Sequence, residues 1–250
     1  MTSFVPVVKE AAGTPVITVE EVKYLEKFLA YEGTRLPVLM ERAGTGLTTY
    51  LNRTYPEAKR VVICCGSGNN GGDGWVVGKQ LAKQGIQVDL VSTREPLKIA
   101  KYPANKAVSA TLAETEGMDN FRVHVCPDRS SVSDLMSQAD VVVDALLGTG
   151  FEYDTLTEPT ATYVSCMVNV VRQRNCCGGA VPPAIIAADV PSGLNADTGE
   201  AAEPCVVADA TVTMLANKRG LMAKEGPAHC GTIMVAQLAG NIEEIMEDSF

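Results

Sequence analysis

Five strand-length apolar runs recur between residues 60 and 190, "RVVICC", "IQVDLVS", "FRVHVC", "DVVVDALL" and "AIIAADV", and a helix-length stretch separates each from the next. Continuous apolar runs belong to strands buried on both faces, and helical crossovers between them impose a parallel sheet with helices above and below. The pattern predicts an α/β fold, a Rossmann-like three-layer αβα sandwich with a mostly parallel central sheet. The helices are expected near 73–84, 103–115, 131–138 and 159–174. Upstream, Thr18-Val-Glu-Glu21 forms a capping box that opens a helix ended by Gly33, and Pro37 opens a second one. The last two apolar runs, "ADATVTML" and "GTIMVAQL", lack a clear crossover helix between them, so an antiparallel edge is expected there. Residues 1–16 read as a loose arm on one domain spanning 1–250.

Charge narrows the function classes. The net charge is −9 and no basic cluster exceeds a pair such as Lys59-Arg60, which argues against nucleic-acid binding as the main task. An anionic ligand would have to rely on local backbone N–H donors. Eight cysteines without CxxC spacing and two histidines, His124 and His229, make a zinc site hard to assemble and fit reduced thiols. Without a signal-like start or a transmembrane-length run, the expected setting is intracellular and cytoplasmic, with a mitochondrial address left open and no membrane partner.

Ligands of such sheets bind beyond the carboxyl ends of the strands, where three glycine-containing loops fall: 66–74, 148–150 and 191–195. The first, "GSGNNGGDG", contains the Gly66-x-Gly68-x-x-Gly71 spacing of a dinucleotide turn, and Asp89 lies where a ribose-binding acid could sit. Asp73, however, puts a carboxylate at the helix start, where a pyrophosphate would repel it. Five glycines in nine residues also exceed what a turn requires. Asp144 and Asp189 each end an apolar run just before a loop. One such aspartate is commonly a cap or a satisfied buried acid, whereas two at equivalent strand ends beside a glycine loop point to a site. Asn70, Asp144 and Ser192 supply hard oxygens suited to a monovalent cation. Ser192 stands outside any GxSxG motif and has no histidine partner motif, which argues against a serine nucleophile.

Five stretches then carry a resemblance: "LMERAG" (39–44), "GSGNNGGDG" (66–74), "VVDALLGTGF" (142–151), "AADVPSGLNADTG" (187–199) and "ATVTMLANKRGL" (210–221). Together they resemble the NAD(P)HX epimerase family, the YjeF N-terminal domain fold, which includes an apolipoprotein A-I-binding protein. The resemblance implies an isomerase that interconverts the R and S hydrates of NADH and NADPH so that a separate dehydratase can repair the S form. It implies substrate contacts from Asn69, Asn70, Gly71, Gly72 and Asp73, and from Gly148, Thr149, Gly150, Phe151, Glu152, Tyr153 and Asp154. Asp189 is implied as the acid/base at the ring. A potassium ion on Asn70, Asp144 and Ser192, and a homodimer, complete the expectation. The family usually has a proline before the lysine matched by Lys218, and this chain has Asn217, which leaves Lys218 equally readable as a solvated strand-end lysine or a ligand contact. The stretch around Cys176-Cys177 reads as a local elaboration. A non-catalytic scaffold of the same fold is the alternative, and a nicotinamide-dependent oxidoreductase ranks below both.

Overall fold

The computed structural model describes residues 4–152, 154–176, 183–240, 242 and 245. Two short strands, β1 (Val7–Glu10) and β2 (Val16–Ile17), precede the helices α1 (Val19–Tyr31) and α2 (Leu36–Thr54). The alternating core follows as β3 (Arg60–Cys65), α3 (Asn69–Lys83), β4 (Gln87–Ser92), α4 (Ala104–Glu114), β5 (Phe121–Val125), α5 (Arg129–Ser137), β6 (Val141–Ala145), α6 (Thr160–Cys176) and β7 (Ala184–Ala188). Then come β8 (Ala210–Met214), β9 (Asn217–Lys218), α7 (Gly226–Cys230) and β10 (Thr232–Gln237).

The main sheet runs β1-β10-β8-β7-β6-β3-β4-β5, and every pairing in it is parallel except β1 with β10. Side chains of one strand alternate between two cores, as the two-residue strand period requires. Val61, Ile63 and Cys65 pack toward α2, α3 and α4, while Val62 and Cys64 pack with Val132 and Met136 of α5 and Tyr163 and Met167 of α6. Both faces are therefore apolar, which is why β3 reads as an uninterrupted run.

Three sequence expectations change. The expected antiparallel pair of the last two runs is parallel: β8 lies beside β10, and the chain crosses between them through β9, a 3-10 turn at Arg219–Leu221 and the five-residue α7. The antiparallel edge comes instead from β1, inside the segment read as a loose arm, with Val8 the strand residue buried in the core. Finally, α3 starts at Asn69, four residues before the expected Asp73. The glycine-rich stretch read as a loop over 66–74 is helical from Asn69 on, because tertiary packing overrides the weak helix propensity of glycine. A Cβ on Gly71 would lie 1.9 Å from the Gly66 carbonyl oxygen, and one on Gly74 would lie 2.7 Å from both Ala145 Cβ and Cys65 Sγ. The bare backbone is what lets α3 seat directly on β3 and β6.

The α1 capping box is present, with Thr18 Oγ1 accepting from the Glu21 amide and Glu21 accepting from the Thr18 amide. The Cys176-Cys177 elaboration lies outside the described residues, apart from the backbone of Cys176 at the end of α6. The cysteines at 64, 65, 126, 166, 205 and 230 are free thiols. Among the described residues no helix is long and apolar enough to cross a membrane.

Candidate active site

Strand order reverses between β3 and β6, since β3 proceeds to β4 on one side while β6 proceeds to β7 on the other. Loops leaving neighbouring strands at such a reversal diverge and open a crevice. The loop after β3 and the loop after β6 leave side by side, with the Gly66 amide donating to the Ala145 carbonyl at 2.9 Å. A Cβ on Gly66 would sit 1.9 Å from the Leu146 carbonyl oxygen, so only glycine allows this approach. Gly68, the N-cap of α3, differs because its added Cβ would meet nothing within 4 Å. Its openness faces outward, where a ligand's anionic group would approach the free amides of the helix start.

These glycines give a paired prediction. Gly66→Ala forces a collision with backbone that no rotamer relieves and is expected to cost about 3 kcal/mol of stability. Gly68→Ala should change stability by no more than about 0.5 kcal/mol. It should nonetheless raise the KM for substrate about tenfold, corresponding to ~1.4 kcal/mol of lost binding. Thermal melts beside steady-state kinetics check both, and equal melting losses for the two variants would contradict this division.

Asp144 is the penultimate residue of β6 and is wholly buried. Ser192, in the turn after β7, donates its amide to Asp144 Oδ2 at 2.7 Å and its hydroxyl to Oδ1 at 2.6 Å, and the Leu147 amide donates to Ser192 Oγ at 2.9 Å. Asn70 Nδ2 donates to the Leu147 carbonyl at 2.6 Å. Three expected cation ligands are thereby gathered on one turn, 144–147. Burial pushes the Asp144 carboxyl up to about 6, against the opposing hydrogen bonds from Ser192 and the Leu146 amide. Among the described residues no cationic side chain pairs with it. Asn70 Oδ1 is buried with no donor. A buried carboxylate without a counter-ion beside an orphaned amide oxygen and a hydroxyl fits the donor set of a monovalent cation.

Asp189 follows β7 directly and holds φ at +66°. Left-handed backbone is uncommon outside glycine, though aspartate and asparagine are enriched there, and such residues cluster at functional sites. The conformation is fixed from both sides. The Asp189 amide donates to the Val212 carbonyl at 2.9 Å, while Oδ1 accepts from Lys218 Nζ at 2.6 Å, the Met214 amide at 3.1 Å and Thr213 Oγ1 at 3.3 Å. Oδ2 has no donor among the described residues. It faces the 148–150 loop, since a Cβ on Gly148 would lie 3.4 Å from Asp189 Oδ2 and 3.2 Å from Asn70. The carboxylate thus has one clamped oxygen and one free oxygen directed at the glycine-lined crevice.

Lys218, half-dismissed from sequence, is completely buried and also donates to the Met214 carbonyl at 2.6 Å. Its signal was weak because it sits on a two-residue strand paired with β2, where nothing apolar flags burial. Asp73 is about nine-tenths buried on α3, and burial together with the charges of Asp189 and Glu26 raises its carboxyl well above the usual range. Glu26 of α1 is raised by burial and by Asp189, and it was not anticipated. The available signal was its place on the inner stripe of α1, four residues after Val22 and three before Leu29.

Of the remaining expected contacts, Gly72 is packed under Met40, Phe151 is buried, and Asn69, Gly150, Glu152 and Asp154 are exposed. Thr149 is partly exposed beside Gly148, and Tyr153 lies outside the described residues. Asp89, the ribose candidate of the oxidoreductase reading, is buried and committed elsewhere. Arg60 pairs with its Oδ2 at 2.9 Å and His124 with its Oδ1 at 2.8 Å, so it serves the sheet and not a ribose. His229 Nδ1 lies 2.8 Å from the Val206 carbonyl oxygen.

Comparison with known proteins bears on this geometry. A profile described as "YjeF-related protein N-terminus" matches residues 37–220. A bifunctional NAD(P)H-hydrate repair enzyme of Coxiella burnetii is 33% identical over 220 residues, covering 87% of this chain and 40% of the relative. The chain thus spans about 40% of the length of that larger protein. An NAD(P)H-hydrate epimerase of Limosilactobacillus fermentum is 32% identical over 205 residues, covering 81% of this chain and 86% of the relative. The crystal structure of yeast ynu0 superposes with a TM-score of 0.69 at 21% identity, covering 84% and 85% of the two chains, and shows the same fold. The chain belongs to the YjeF-related N-terminal family.

Proposed function

We propose that this chain is an NAD(P)H-hydrate epimerase, an isomerase interconverting the R and S hydrates of NADH and NADPH. The single observation that carries the reading is Asp189, with one oxygen clamped by Lys218 and two further donors and the other free beside Gly148. Loss of the ring hydroxyl from the hydrate leaves a nicotinamide-like cation, and return of water from either face gives either epimer. A carboxylate held against the ring stabilises that cation without having to reorganise. The loop from Asn69 to Asp73 and the segment from Gly148 to Asp154 would hold the nucleotide. Curated names of relatives that cover most of their length, such as the L. fermentum epimerase, support the assignment.

Asn70, Asp144 and Ser192 would hold a potassium ion, whose positive charge would order the 144–148 turn beside Asp189. The orphaned Asn70 Oδ1 and the counter-ion-free Asp144 support this part. A homodimer and a working partnership with a dehydratase belong to the same proposal, and the bifunctional repair-enzyme names of longer relatives support the second.

The test is to incubate the protein with pure R hydrate and follow S hydrate by chromatography in potassium and in choline buffers. Acceleration over the spontaneous rate, greater in potassium and accompanied by a potassium-specific rise in melting temperature, is expected. No acceleration in either buffer would overturn the enzyme reading in favour of the scaffold of the same fold.

A further inference from the structure

A scheme with one carboxylate asks Asp189 to donate a proton and also to remain the anion that stabilises the ring cation. The hydrogen bonds around it favour only the second task. Three donors converge on Oδ1, one of them a fully buried ammonium, and donors of that kind stabilise the ionised carboxylate. Asp73 has the opposite surroundings. It is about nine-tenths buried and accepts no hydrogen bond among the described residues. It lies past the first turn of α3, beyond the short reach of the helix dipole. The titratable groups facing it are Asp189 after β7, Glu26 of α1, Lys218 of β9 and the Cys65 thiol at the end of β3. Among the described residues the ammonium facing Asp73 is that of Lys218, and its hydrogen bonds go to Asp189 Oδ1 and the Met214 carbonyl instead. A buried carboxyl with no donor and no cation of its own holds its proton.

Building on the epimerase reading, we infer that the two aspartates divide the reaction: Asp73 carries the proton to and from the ring oxygen, while Asp189, clamped by Lys218, stays the anion facing the ring. In the forward half the carbon–oxygen bond of the hydrate breaks, its electron pair leaves with oxygen, and the Asp73 proton completes a water molecule. The ring is left as the cation beside Asp189. In the return half a water oxygen bonds to that carbon from the opposite face and gives its proton to the Asp73 carboxylate, restoring the starting acid. Atoms and charge balance without an oxidant or reductant. Opposed environments for two neighbouring carboxyls are how one site runs acid and anion chemistry together.

The test compares wild type, Asp73→Asn and Glu26→Gln. Asp73→Asn should lose about 10²- to 10⁴-fold in kcat, as expected for a removed general acid. Its affinity for unhydrated NADPH should change by less than about tenfold, or ~1.4 kcal/mol. Wild-type kcat/KM should fall as pH rises through the elevated range where Asp73 ionises. In Glu26→Gln that fall should begin at lower pH, because a negative neighbour that favoured the protonated form is gone. Infrared difference spectra of ligand-free protein at neutral pH should show a protonated carboxyl band that Asp73→Asn removes. The inference is overturned if Asp73→Asn keeps its kcat and only raises KM, or if the band persists in it. A wild type that fails to epimerise overturns the function itself, so the two failures are distinguishable.

Discussion

Asp189→Asn is expected to lower kcat for hydrate epimerisation about a thousandfold, the order of effect seen when a preorganised charge or proton-transfer group is removed from a transition state. The substitution is close to a pure charge deletion. Asparagine tolerates left-handed backbone as aspartate does, so the φ of +66° persists. Its amide oxygen can still accept from the Met214 amide and Thr213 Oγ1. What disappears is the negative charge at the free oxygen beside Gly148. The same change strands the buried Lys218 ammonium against a neutral partner, with an expected stability loss of about 3 kcal/mol. For a chain of this size that lowers the melting temperature by roughly 6 to 12 °C. Kinetics should therefore be run well below that midpoint, with folded protein quantified by circular dichroism. Wild-type rates from folded Asp189→Asn would remove Asp189 from the chemistry.

The site was legible wherever its parts end an apolar run. The loops after β3, β6 and β7 announce themselves because a strand buried on both faces must stop abruptly and glycine or aspartate marks the stop. Asn70, Asp144, Asp189 and Ser192 are found by that logic, and the structure brings them to one end of the sheet. Lys218 was not, because burial of a lysine is decided by a partner 29 residues away and by the short β2–β9 pair that covers it. Glu26 stayed hidden for the same reason, since an amphipathic helix shows which residues face inward but not which carboxylates they will meet. The start of α3 was misplaced because glycine propensity is a local property and glycine packing against Ala145 and Cys65 is not. The edge strand β1 offered a single buried valine, too little alternation to distinguish a strand from an arm.

Lys218→Met carries the other large expectation, and it tests whether the clamp acts as a unit. Methionine matches the length of the lysine stem and leaves no cavity worth a penalty, so its effect reports charge and hydrogen bonding. Alone it should cost about 3 kcal/mol, because Asp189 Oδ1 and the Met214 carbonyl lose a buried donor. Combined with Asp189→Asn, the loss should not double. With neither charge present there is no stranded ion, and a coupling energy of about 2 kcal/mol should appear in the double-mutant cycle from urea denaturation. Activity should behave differently: the double variant loses less stability than the two single losses summed, yet stays as slow as Asp189→Asn, because the anion at the ring is absent in both. Additive stability losses would show that Lys218 and Asp189 do not act as a pair, and would return Lys218 to a packing role.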